Sequence, residues 1–327
     1  MKMILKVIGI AVISLAIPFG IALGLIASQR PTDLSDTEGG LDFTRLVAGT
    51  ADPLPLLSVP LRDGFAAQVR YLPGPEGAPL LVLVHGSGWD GGQFDAITPE
   101  LAEVAEVIAP DLRGHGARPG RRGDVDYIGQ FEDDLADLIA AFAKPDQRVV
   151  MAGHSSGGGL VIRFAGGNYG KMIDEAILLA PFVQYDAPTT RPNSGGWARP
   201  LTRRIIGLSM LNAARIHALD HLTAIQFAMP DEVLNGPEGH RATTAYSWRL
   251  NQSFAPRRDW GSDIAALPPF LLVVGTEDEA FVADAFVPTF AEHTDRGKYL
   301  LVEGKSHLDV VSSPQAINAI KAMLTDG

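Results

Sequence analysis

Six short, almost uncharged apolar runs recur along this chain: Leu80–Val84 (LLVLV), Glu106–Ala109 (EVIA), Arg148–Ala152 (RVVMA), Ala176–Ala180 (AILLA), Phe270–Val274 (FLLVV) and Tyr299–Val302 (YLLV). Each is too short for a typical helix and lacks the alternation of a strand with one wet face. Near-continuous runs of this kind fit strands covered on both sides. Amphipathic stretches separate them. Over residues 126–143, Tyr127, Phe131, Leu135, Leu138, Ile139 and Phe142 recur at helical spacing, Glu132, Asp133, Asp134 and Asp137 take the other side, and Pro145 stops the helix. Strands alternating with helices predict a mostly parallel central sheet with helices on both faces, an α/β architecture. Ala66–Leu72 alternates and reads as an antiparallel edge strand.

The alternation stops between residues 182 and 262, a stretch with no long strand-like run and several helical segments. It reads as a helical cap inserted into a core of residues 59–181 and 263–327. Insertions of this kind sit over the carboxyl ends of the strands, where open α/β sheets bind ligands. Ahead of the core, residues 29–58 read as a linker with Pro31, Pro53, Pro55 and a Gly39-Gly40 pair. Residues 1–28 contain an uncharged run over 7–27 (VIGIAVISLAIPFGIALGLIA), long enough for a single transmembrane helix that stands apart from the fold. Lys2 and Lys6 precede the run, which favours a cytoplasmic N-terminus and a folded domain on the extracytoplasmic side. Cleavage as a signal peptide, with Ala22-Leu23-Gly24 as a site and a secreted or periplasmic product, is the alternative.

A hydrophobic fraction of 46% supplies a full core without staples, and the absence of cysteine removes disulfides, thiol nucleophiles and thiolate zinc sites together. The net charge of −11 gives no electrostatic footprint for nucleic acid. No cofactor is implied, because GGQF and GGGL lack dinucleotide and P-loop spacing, and no histidine–carboxylate group has metal-site spacing.

Four of the runs end in a turn that carries chemistry. RVVMA leads into Gly153-His154-Ser155-Ser156-Gly157 and then a helical stretch. G-x-S-x-G in that setting is a sharp strand-to-helix turn presenting a nucleophilic serine, here Ser155. LLVLV leads into His85-Gly86-Ser87-Gly88, whose Ser87 amide, with that of Ser156, is a candidate oxyanion hole. FLLVV leads into Gly275-Thr276-Glu277-Asp278, where Asp278 is the candidate acid, with Glu277 and Glu279 as neighbouring competitors. YLLV leads into Gly304-Lys305-Ser306-His307, where His307 is the candidate base. His85, His115 and His154 lie in glycine-rich turns ahead of the acid and read as structural. The order Ser155, Asp278, His307 matches a serine–acid–histidine triad, and every member follows a predicted strand.

Together these motifs resemble the α/β-hydrolase superfamily over residues 59–327. HGSG is similar to its oxyanion loop, Asp111-Leu112-Arg113-Gly114-His115-Gly116 to its D-x-R-G-H-G turn, GHSSGG to its nucleophile elbow, and GTEDEAF and GKSH to its acid and histidine loops. Within it the chain most resembles the branch of lysophospholipases, monoacylglycerol lipases and related serine esterases. The resemblance implies a catalytic triad of Ser155, Asp278 and His307 with the amides of Ser87 and Ser156. Ser156 departs from the bulky residue common in that branch, which implies a roomier or more polar acyl pocket. A serine nucleophile argues against the dehalogenases and epoxide hydrolases of this fold, which use aspartate there.

The expected function is hydrolysis of carboxylic esters, lipid-derived or otherwise apolar in the acyl part, through an acyl-enzyme on Ser155. Acyl transfer, amide cleavage and carbon–carbon hydrolysis on the same triad are alternatives, as is a non-catalytic ligand-binding module. The stretch Trp197–Ile216 combines Arg199, Arg203, Arg204 and Arg215 with apolar residues. It reads as a cap helix with its arginines towards solvent, or as a basic face resting on an anionic membrane. The sequence leaves oligomeric state open.

Overall fold

Five of the six apolar runs fold into the middle of one sheet; the sixth, Tyr299–Val302, forms an edge strand and is partly exposed, not covered on both sides. The computed structural model describes residues 16–34, 40–43 and 53–326. Its strands are β1 (Leu56–Pro60), β2 (Ala66–Leu72), β3 (Leu80–Val84), β4 (Glu106–Pro110), β5 (Val149–His154), β6 (Glu175–Leu179), β7 (Ala198–Pro200), β8 (Thr223–Phe227), β9 (Ala245–Ser247), β10 (Phe270–Gly275) and β11 (Gly297–Val302). The large sheet has the order β1-β2-β4-β3-β5-β6-β10-β11. β1 and β4 flank β2 antiparallel, and every other pairing is parallel. Strands β3, β4 and β5 are buried at every position, which is why their sequences do not alternate.

Two expectations about this sheet change. Ala66–Leu72 is not the edge strand, because β1 lies outside it, from Leu56 paired with Arg70 to Pro60 paired with Ala66. Residues 56–58 therefore belong to the sheet and not to a linker. The signal was hidden because β1 (LLSVP) is mostly exposed and sits among prolines, which are tolerated only at sheet edges.

The insertion between β6 and β10 adds no strand to the large sheet. It is not purely helical, as expected, but builds a three-stranded antiparallel sheet, β7-β8-β9. β7 and β9 have three residues each, too few to show a period. The basic stretch Trp197–Ile216 is likewise not one helix: Trp197 is buried, β7 follows, and the helix spans Thr202–Ala213. Its arginines do not all face solvent. Arg204 is buried and donates to the Thr223 carbonyl at 3.1 Å.

The N-terminal segment does not stand apart from the fold. Residues 16–27 are helical, and one side packs on the helix Thr202–Ala213. Ala22 and Ile26 join Leu208, Leu211, Ala224 and Trp248 in a buried cluster separate from the main core. The approach is close because Gly207 lies at the crossing: a Cβ there would come within 2.5 Å of the Ala22 carbonyl oxygen. Arg203 ties down the end of the segment by donating to the Ser28 carbonyl at 3.0 Å. Among the described residues no helix is long and apolar enough to cross a membrane. The rest of the expected span, residues 7–15, lies outside the described residues.

Candidate active site

The turn after β5 is dictated by its glycines. A Cβ on Gly153 would lie 2.3 Å from the Gly157 carbonyl oxygen, and one on Gly157 would lie 2.2 Å from that of Val84. With both absent, strand passes to helix across a single residue, Ser155, at φ 53° and ψ −121°. A residue with a Cβ adopts that conformation at a cost of about 1–3 kcal/mol, which the surrounding fold must impose. The helix Ser156–Ala165 starts at the next residue.

The structure joins the acid to the histidine. Asp278 and His307 are both buried, and His307 Nδ1 lies 2.8 Å from Asp278 Oδ2. The other carboxylate oxygen, Oδ1, accepts from the amides of Ala280 at 2.9 Å and Phe281 at 2.7 Å. This network holds the carboxylate in place and orients the ring, with Nε2 left for chemistry. Glu279, one of the two competitors in sequence, takes a different part: its Oε2 accepts from the His307 amide at 2.8 Å and its Oε1 from the Asp42 amide at 3.1 Å.

His85, His115 and His154 hold loops together. His154 faces the His307 ring at 4.6 Å between centroids. Its Nδ1 accepts from the Gln93 amide group at 2.5 Å, so its Nε2–H donates to the His307 carbonyl at 3.0 Å. Burial, then the neighbouring His307, holds His154 well below the ordinary histidine range, so it stays neutral. His85 accepts from the Leu112 amide at 3.1 Å, and burial takes its pKa down to about 4. In the same way burial, then His85, keeps His115 neutral.

Ser87 and Ser156 come together, with their hydroxyls 2.5 Å apart. Sequence reading missed what positions this loop. Tyr246, from β9 of the insertion, is fully buried and accepts from the Gly88 amide at 2.8 Å, while its O–H donates to His115 Nε2 at 2.7 Å. A second missed group is Gln93, whose Oε1 accepts from the Gly86 amide at 3.0 Å. No local motif marks Tyr246, because it lies 158 residues from Gly88. We expect Tyr246→Phe to lower kcat about tenfold with KM nearly unchanged, since a displaced oxyanion donor costs less than the 100- to 1000-fold of a deleted one. A urea titration of the same variant should show a loss of about 1–3 kcal/mol, because the Gly88 amide and His115 Nε2 are left unpaired in the interior. Unchanged kcat would remove Tyr246 from the positioning of this loop.

Beneath the loop lies a buried charge cluster. Arg70 Nη1 is 2.6 Å from Asp111, Nε is 2.6 Å from Asp95, and Nη2 is 3.5 Å from Asp90. Arg241 of the insertion reaches the same Asp90, with Nε donating to Oδ2 at 2.7 Å. The D-x-R-G-H-G turn is thereby explained residue by residue. Asp111 joins this cluster, Arg113 pairs with Asp134 at 2.8 Å, and His115 meets Tyr246.

Ser155 and His307 line one cavity of about 380 Å³, together with Gln93, Trp89, Trp197 and Met229. A candidate nucleophile, a candidate base oriented by a buried acid and the candidate oxyanion residue Ser87 around one cavity, with Ser156 beside Ser87, make an arrangement suited to acyl transfer.

The sequence matches the Alpha/beta hydrolase family over residues 81–320. It is 32% identical over 218 residues to an uncharacterized protein of Mycobacterium tuberculosis, covering 58% of this chain and 63% of that protein. It is 28% identical over 116 residues to a monoacylglycerol lipase of Mycolicibacterium smegmatis, covering 35% of this chain and 41% of the lipase. The chain thus spans less than two thirds of the length of these relatives. Among solved structures, a monoacylglycerol lipase of Paleococcus ferrophilus aligns with a TM-score of 0.58 at 19% identity, covering 80% of this chain and 98% of that one. A thermophilic esterase of Thermogutta terrifontis aligns with a TM-score of 0.57 at 20% identity, covering 83% and 98%. With the family pattern matched across well over half its length and the sheet order to go with it, the chain belongs to the alpha/beta hydrolase family.

Proposed function

We propose that the protein is a serine esterase that cleaves apolar carboxylic esters, lipid-derived ones included, through an acyl-enzyme on Ser155. The observation that carries this reading is the buried Asp278–His307 pair opening on the same cavity as the strained Ser155. Ser155 Oγ attacks the ester carbonyl as its proton passes to His307 Nε2. The oxyanion takes hydrogen bonds from the amides of Ser87 and Ser156. The bond to the alcohol oxygen breaks, and that oxygen takes the proton from His307. Water repeats the sequence and releases the acid. The esterase and lipase relatives agree with this reaction class. With p-nitrophenyl acetate the purified protein should release a burst of p-nitrophenol close to one per chain, then a slower steady rate. A burst that scales with substrate and not with protein would count against an acyl-enzyme.

We further propose that the N-terminal helix holds the protein at a membrane, with the catalytic domain on the extracytoplasmic side. Ile17, Phe19, Ile21 and Leu23 are exposed on residues 16–27, and Ile206 is exposed on the cap helix beside them. A patch of large apolar side chains suits a lipid surface. The full chain should float with lipid vesicles, and the double variant Phe19→Glu, Ile21→Glu should float at least about tenfold less, since two charges oppose burial in lipid. Equal flotation of the two proteins would contradict this placement.

A further inference from the structure

Ser155 lines two cavities, not one. The larger, of about 380 Å³, contains His307 in its wall. The smaller, of about 60 Å³, is lined by Ser87, Ser155 and Ser156 and by Phe182, Ile225 and Phe281, without His307. Trp197 belongs to both walls, as do Ser87 and Ser155. Trp197 is buried, stacks on Phe227 at 5.3 Å and packs against Phe43 at 5.3 Å, so this shared wall residue is braced on both sides.

From this division we infer that the enzyme takes short-chain acyl esters, acetyl to about butyryl, of bulky apolar alcohols. The inference rests on the serine-esterase reading and adds the substrate class. In that reaction the proton removed from Ser155 must reach the leaving oxygen, and His307 is the group that carries it. The alcohol therefore departs on the His307 side, into the larger cavity. The carbonyl oxygen points to the amides of Ser87 and Ser156. The acyl chain, on the far side of the carbonyl from the leaving alcohol, is assigned to the smaller cavity, which lacks His307. Its space admits about four water-sized groups, at roughly 15 Å³ each. Its walls do not yield readily: Phe281 is buried against Phe182 at 6.3 Å, and Phe227 packs on Tyr246 at 4.7 Å. The larger cavity offers Trp89, Ile97, Trp197, Met229 and Val233 to the alcohol. The apolar bulk of the substrate thus lies on the alcohol, the reverse of what the sequence suggested.

The test is a pair of ester series on the purified full chain. With p-nitrophenol as alcohol and acyl chains from acetyl to decanoyl, kcat/KM should fall by about tenfold or more from butyrate to octanoate, because a methylene that does not fit costs about as much as one that fits gains. With acetate as the acid and primary alkyl alcohols of similar acidity, from ethyl to naphthylethyl, kcat/KM should rise by about tenfold or more as the larger cavity fills. Phe182→Ala should raise the octanoate-to-acetate ratio about tenfold by lengthening the smaller cavity, with Ile225→Ala as the second variant should the first misfold. An octanoate preference in the unmodified enzyme, with small alcohols favoured, would overturn the assignment. Labelling of Ser155 by a short alkyl fluorophosphonate, run beside the series, separates the two failures. A labelled enzyme with the wrong chain preference refutes the cavity assignment alone, and an unlabelled folded enzyme refutes the esterase reading on which it stands.

Discussion

Replacing Ser155 by alanine is expected to lower kcat for ester hydrolysis by about 10⁵- to 10⁶-fold, the scale seen when a triad nucleophile is deleted. The residual rate would come from the oxyanion amides and from binding alone. Stability should scarcely change, because alanine keeps the same strained backbone at φ 53° and ψ −121°. Ser155→Gly separates the two effects. It should be equally inactive, yet more stable than the alanine variant by about 1 kcal/mol, the relief of a strain of about 1–3 kcal/mol less the added chain entropy of glycine. Kinetics on p-nitrophenyl esters and urea titrations of the three proteins measure both. An alanine variant within tenfold of the parent would place the nucleophile elsewhere. A glycine variant less stable than the alanine one would show that the turn is not strained.

The second large effect concerns stability. Arg70→Leu should cost about 3–5 kcal/mol at pH 7, because it leaves buried carboxylates facing one another with their central cation gone. Asp111 and Asp95 lose their contacts at 2.6 Å, and Arg241 remains beside Asp90 alone. The loss should shrink in acid. Burial, then the neighbouring Asp90, already raises Asp111 to about 6, above its ordinary 3.8. A carboxyl raised in the folded state binds more protons folded than unfolded, so its contribution to stability falls as pH rises from about 4 to about 6. Without Arg70 that rise is larger, and the variant should gain more than the parent on going from pH 7 to pH 5. Equal pH dependence in the two proteins would show that Arg70 does not set the charge state of this cluster.

The parts of the molecule that could be read in the sequence share a physical cause. β3, β5 and β10 are buried on both faces, so their residues are almost all apolar, and glycines stand in or next to the turns that follow them, where a Cβ at Gly153, Gly157 or Gly275 would meet backbone. Ser155 and Asp278 were legible because each stands in the turn after such a strand, and His307 because it follows the apolar run of the edge strand β11 in the expected chain order. Asp278 could be told from Glu279 only in three dimensions, since both reach the His307 loop and one meets the ring while the other meets the backbone. Tyr246 and Arg241 were not legible at all. They act across more than a hundred residues, from an insertion whose strands are too short to show a pattern. The docking of residues 16–27 was hidden for a different reason. A helix apolar on every side gives no sign of which side is covered, and only Gly207 on the opposing helix marks the contact. The chain-length preference was out of reach too, because it depends on how the space around Ser155 is divided.

The central claim is that Ser155 is activated by His307 and Asp278. The most direct measurement is mass spectrometry of the full-length protein after treatment with a fluorophosphonate, comparing the parent with Ser155→Ala and His307→Gln. One adduct per chain is expected on the peptide that contains Ser155, with none in the alanine variant and slow, sparse labelling in the glutamine variant. An adduct on another serine, or equal labelling of the parent and the glutamine variant, would contradict the claim.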